Sequence, residues 1–172
     1  MAAPCFITWS GNAPTTVTAT TGGTVISGVA TQTASGQPKT ILQIAPLKKI
    51  RVVEWGYLFA AAPTSPVQVE LLDTGTVFGT VTAGTVYNYN DVTGPSTQAT
   101  ISTATTGYNC TAEGASSSTR LLAQTYDLST YFKQQFPLGR EPEMNAGYCL
   151  RIRATPSTGA ATTIIAYCIW EE

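Results

Sequence analysis

Residues 67–72, VQVELL, alternate apolar and polar side chains, with Val67, Val69 and Leu71 on one side and Gln68 and Glu70 on the other. A period of two marks a strand with one buried face. Upstream, IRVVEWGYLF (50–59) keeps the same period with a fault in it. Apolar positions 50 and 52 give way to 53, 55, 57 and 59. One extra residue turns every following side chain to the opposite face, so the fault predicts a β-bulge. Gly56, inside the same run, predicts a bend or a close backbone contact.

The rest of the chain repeats the pattern in shorter pieces. TILQIA is a strand stopped by Pro46, AAPTSP is a turn, and TVFGTVTA is a strand ended by Gly84. Residues 85–118 are polar and glycine-containing, a length unusual in a compact domain unless the segment is functional or carries short strands, of which ATISTA is one candidate. TRLLAQTYDL reads as a strand, STYFKQQF as a strand or a single helical turn, and PLGREPEMNAG as a loop. YCLRIRA and TTIIAYCIWEE close the chain. Paired as an antiparallel hairpin, they set Tyr148, Leu150 and Ile152 against Ile169, Tyr167 and Ile165. That register brings Cys149 opposite Cys168, within disulfide reach if the pair is of the closer, non-hydrogen-bonded kind. Strands in different sheets would forbid the bridge.

Residues 1–37 differ from the remainder of the chain. Thr, Gly, Ser and Ala dominate, and the core candidates are few: Phe6, Ile7, Trp9, Val25 and Ile26. They are expected to form weak strands or an extended N-terminal arm, and residues 38–172 the domain proper. The fold class expected is all-β, an antiparallel β-sandwich.

Composition narrows the function. Only 11% of residues are charged and the net charge is −1, against about 25% charged in typical domains. Phosphate binding needs clustered Lys and Arg; the nearest approach is Lys48, Lys49 and Arg51, with Arg151 and Arg153 elsewhere. No nucleic-acid partner is expected. No apolar run reaches the length of a membrane-spanning helix, and no membrane partner is expected. The N-terminus MAAPCFITWSGNAP lacks a basic flank and apolar core, which predicts cytoplasmic synthesis without a signal peptide.

The chain contains no histidine, which removes serine–histidine and cysteine–histidine catalysis and mixed zinc sites. Asp73, Asp91 and Asp127 are dispersed; Glu54, Glu70, Glu113 and Glu141 are the carboxylates left for a paired-acid site. No dinucleotide fingerprint or P-loop is present. No catalytic residue, metal or cofactor is assigned, and the expectation is a protein that is not an enzyme. Tyr87, Tyr89 and Tyr108, in the long polar segment, are candidates for stacking on a sugar.

IRVVEWGYLFAAAPTSPVQVELLDTGTVFGTVTA, GYNCTAEG, QQFPLGREPEMNAGYCLRIRATPS and CIWEE together resemble the capsid decoration (accessory virion) proteins of tailed bacteriophages, over roughly residues 40–172. The resemblance implies a jelly-roll-like sandwich, associated as a trimer, that binds the major capsid protein on the outer capsid surface of the virion and closes seams between its subunits. Phe6 and Trp9 in the arm and Trp170 near the other end are then the expected interface anchors. The alternatives are a tail or fibre-attachment virion subunit and a carbohydrate- or surface-binding module.

Overall fold

The computed structural model describes residues 3–10, 29–30, 38–59, 62–90, 105–114, 119–127, 129–157 and 162–172. Among them are thirteen strands and no helix: β1 (Cys5–Trp9), β2 (Val29–Ala30), β3 (Lys39–Ile44), β4 (Ile50–Phe59), β5 (Val67–Asp73), β6 (Thr80–Ala83), β7 (Val86–Asn88), β8 (Gly107–Ala112), β9 (Arg120–Asp127), β10 (Tyr131–Gln135), β11 (Glu143–Met144), β12 (Leu150–Pro156) and β13 (Thr162–Glu171). They form two antiparallel sheets packed as a sandwich. The first runs β10-β4-β13-β1-β7, with β11 also on β4 and β2 on β13; the second runs β6-β8-β3-β12-β5-β9. ATISTA, and residues 11–28 and 31–37 of the proposed arm, lie outside the described residues.

The core is the space between the sheets. Val67, Val69 and Leu71 point into it, as their alternation requires. In β4 the pairing with β13 jumps from Glu54 opposite Ile169 to Val52 opposite Trp170, leaving Val53 as the extra residue. Ile50 and Val52 are therefore buried before the bulge, and Trp55, Tyr57 and Phe59 after it. The parity fault of the sequence is this bulge. A Cβ on Gly56 would lie 2.6 Å from the Phe132 carbonyl oxygen and 2.7 Å from the Tyr167 ring. Close approach is what excludes a side chain there.

Trp55, Tyr57 and Phe132 form the aromatic centre of the core, with Tyr57 and Phe132 stacked at 5.4 Å. Both polar ends within it are satisfied. The Trp55 indole donates to Gln134 at 3.0 Å, and the Tyr57 hydroxyl pairs with Thr125 at 2.6 Å.

Of the two forms left open for STYFKQQF the structure takes the strand: it forms the edge strand β10, whose Tyr131 and Lys133 face outward opposite Leu58 and Gly56. The long polar segment after Thr85 carries short strands, β7 and β8, in different sheets. One expectation needs correction: the closing hairpin does not form. β12 lies between β3 and β5 in the second sheet, and β13 between β4 and β1 in the first. With both edges of each strand occupied, Cys149 and Cys168 stand in opposite sheets as buried free thiols, so the expected bridge is absent.

Candidate interaction surface

The chain's first and last strands are neighbours, and this decides where the proposed anchors go. β1 pairs with β13 so that Phe6 sits opposite Trp170, both facing the core, with ring centroids 6.1 Å apart. Phe6 is 1% exposed and Trp170 fully buried. Neither can reach a partner without opening the sandwich, and both are corrected from anchors to core residues. Among the described residues the buried Trp170 indole N–H has no hydrogen-bond partner, a cost that the burial of its ring outweighs.

Trp9 differs. Its register position puts it on the outer face of the first sheet, half-buried, with its ring edge-on to Tyr87 at 5.6 Å. It belongs to a second apolar cluster made of Cys5, Ile7 and Ile169, against which Trp9, Val53, Tyr87 and Tyr167 pack. β1 is thus buried on both faces from Cys5 to Thr8. A sheet with one face in water alternates apolar and polar positions; this one does so only toward the β10 edge.

There the surface becomes polar. Tyr167 lies over Gly56 and donates its hydroxyl to Glu54 at 2.7 Å, while Lys133 holds the other Glu54 oxygen at 3.1 Å. Burial first, and then the Glu54 carboxylate, push the Tyr167 phenol well above its ordinary range, so it stays protonated. At the other end of the patch Arg51 meets Glu171 at 2.9 Å. Sequence reasoning missed the patch because Ile7, Tyr87 and Ile169 are distant in the chain. The one local signal was that CFITW does not alternate.

The outer face of the second sheet is closed by a polar clasp. Arg151, 3% exposed, donates to the carbonyls of Val77 and Glu113 at 2.7 Å each, and to the Glu113 carboxylate at 3.2 Å. That carboxylate also takes the Thr40 N–H and hydroxyl. Gln43, fully buried, accepts from the Gly79 N–H at 2.8 Å and donates to Thr105 at 2.9 Å. These bonds tie the segments after β5 and β8 down onto β3 and β12.

The motif GYNCTAEG is explained by this geometry. A Cβ on Gly107 would lie 2.0 Å from the Thr82 carbonyl oxygen. Asn109 adopts a left-handed backbone (φ 53°) where β8 bulges against β6, and Glu113 closes the clasp.

The four candidate acids do not assemble into a pair. Glu54 is held by Lys133 and Tyr167, Glu70 by Arg153 and Gln68, and Glu113 by Arg151 and Thr40, while Glu141 accepts the Gly139 N–H. Among the described residues no three His, Cys, Asp or Glu side chains group as a metal site. The candidate sugar-stacking tyrosines are also dispersed. Tyr87 packs on Trp9 in the first sheet, Tyr89 is exposed beyond it, and Tyr108 belongs to the second sheet.

The class these observations define is an antiparallel β-sandwich with an apolar outer patch. Comparison with family models, curated proteins and solved structures finds no match to the chain.

Proposed function

We propose that this chain is a structural protein of a tailed-phage virion, which decorates the outside of the capsid and bridges its subunits. The observation that carries this reading is the first sheet, apolar on both faces around β1 and β13. One face is covered by the second sheet. On the other face Ile7 and Ile169 are themselves buried, and the half-buried rings of Trp9 and Tyr87 over them are the part that a flat, dry contact with another protein would cover. In this reading the partner is the major capsid protein, the chain associates as a trimer, and it is made in the host cytoplasm.

The finer architecture supports the same reading. Taking β1, β3, β4, β5, β9, β10, β12 and β13 as strands one to eight, the first sheet runs 6-3-8-1 and the second 2-7-4-5. First beside last, with chain crossings between the sheets, is the order of nested Greek keys, so we read the sandwich as a jelly roll. That fold occurs in viral capsid proteins and also in lectins, so it favours a virion role by analogy only. Among the described residues six of the nine cationic side chains are in ion pairs, so little unpaired positive charge is offered to a polyanion.

Electron microscopy of purified chain mixed with capsids lacking it tests the proposal. Ordered external density is expected, with the Trp9–Tyr87 face toward the shell. Trp9→Ala combined with Tyr87→Ala should lower occupancy at least tenfold. Absence of binding by the unmodified chain would reject the capsid reading.

A further inference from the structure

A hollow of about 240 Å³ opens where the end of β5 meets the start of β9, lined by Asp73, Gly75, Thr119, Arg120 and Tyr148. Backbone bonds fix its frame. The Cys149 N–H donates to the Gly75 carbonyl at 2.7 Å, the Thr74 N–H to the Cys149 carbonyl at 2.9 Å, and the Tyr148 N–H to the Asn145 carbonyl at 3.1 Å. Gly75, at a positive φ of 60°, has nothing within 4 Å of where a Cβ would stand, so that wall leaves room. The shape is present before any ligand arrives, which removes an ordering cost from binding.

The chemistry of the lining selects what fits. Asp73 is buried, with one carboxylate oxygen on the Gly75 N–H at 2.8 Å and the other on Arg120 Nη2 at 3.1 Å. The same Nη2 donates to the Glu143 carbonyl at 2.7 Å. Carboxylate and guanidinium neutralise each other, so the hollow attracts neither an anion nor a cation. An apolar occupant fits no better, because covering the pair would remove its water without replacing the hydrogen bonds. Arg120 Nε and Nη1 have no acceptor among the described residues, and a carboxylate accepts more bonds than the two that Asp73 receives. Beside them stands the exposed Tyr148, an apolar ring with a polar tip. The occupant that answers all of these features is neutral, has a flat apolar face, and carries hydroxyls that both donate and accept.

We propose that this hollow binds one ring of a neutral saccharide, with the C–H face of the sugar on Tyr148 and its hydroxyls on Arg120 and Asp73. The volume limits the occupant to about that size, since sites for drug-sized ligands run from roughly 300 Å³ upward. The site shares no residue with the Trp9–Tyr87 face and stands whether or not that face meets a capsid. Tyr87, Tyr89 and Tyr108 take no part in it.

Amide-resolved nuclear magnetic resonance on the whole chain tests it, with glucose, galactose and N-acetylglucosamine as separate probes. At least one is expected to shift the amides of Gly75, Thr119, Arg120 and Tyr148 saturably. Tyr148→Ala should weaken that sugar at least tenfold, and Tyr148→Phe, which keeps the ring, should bind it nearly as well as the unmodified chain. Tyr126→Ala, which removes an exposed tyrosine elsewhere on the second sheet, should leave binding unchanged. The shift map of the unmodified chain decides the matter if Tyr148→Ala does not fold. No shift with any of the three sugars up to about 10 mM, or shifts centred elsewhere, overturns the proposal. So does an equal response to inorganic phosphate, which would mean that Asp73 does not neutralise Arg120.

Discussion

Asn109 shows how much one backbone angle carries. Its φ of 53° lies in the left-handed region, which costs most residues roughly 1–2 kcal/mol and Asn and Gly less. Asn109→Gly is therefore expected to fold with unchanged or slightly higher stability, and Asn109→Val to lose about 1–2 kcal/mol; urea denaturation of both variants measures this. The cysteines give a second test at this scale. Burial, followed by the Glu113 charge, pushes the Cys110 thiol up to about 11. Burial also raises Cys5, Cys149 and Cys168. An unfolded thiol titrates near 8.5, so between there and pH 11 the folded chain keeps protons that the unfolded chain releases. The resulting stabilisation is complete below the unfolded pKa and disappears as pH rises through the folded one. Denaturation midpoints should fall above pH 9, and fall less steeply in Cys110→Ala; an equal slope in that variant would contradict the assignment.

At the scale of elements, the clasp between Arg151 and Glu113 is what holds the β5–β6 and β8 segments to the second sheet. Removing one partner of a buried ion pair strands the other. Arg151→Met is expected to cost about 3 kcal/mol, toward the lower end for such pairs because Glu113 is partly exposed. Glu113→Gln should cost less, since an amide oxygen still accepts from Arg151 and Thr40. Hydrogen exchange should locate the change in Arg151→Met to residues 77–79 and 107–114. Uniform acceleration across the molecule would instead mean that the clasp has no local role. These partners were not legible in the sequence. Arg151 reads there as an outward position of a strand, and only the fold covers it.

For the whole molecule, the adjacency of β1 and β13 means that the first sheet is not complete until both strands, from opposite ends of the sequence, are in place. Nearly every pairing is between segments distant in sequence, the condition for slow, cooperative folding. One transition is expected by both tryptophan fluorescence and far-ultraviolet circular dichroism, with refolding in milliseconds to seconds or slower. Non-coincident transitions would show that the sheets separate. Deleting residues 1–10 should abolish the folded state, because Phe6 and Ile7 fill both sides of the first sheet.

Alternation along VQVELL and the fault in IRVVEWGYLF were enough to establish strands, inward faces and the bulge. Each is a local consequence of a backbone that turns its side chains by half a revolution per residue. Sheet membership has no such local signature. YCLRIRA and TTIIAYCIWEE satisfy their apolar pattern equally well as a hairpin or as central strands of opposite sheets, and only long-range pairing chose the second. The same choice buried Phe6 and Trp170, left Trp9 on the outer face, and kept Cys149 and Cys168 apart. Hydrophobic period belongs to a strand alone, whereas a site belongs to the neighbours that strand acquires.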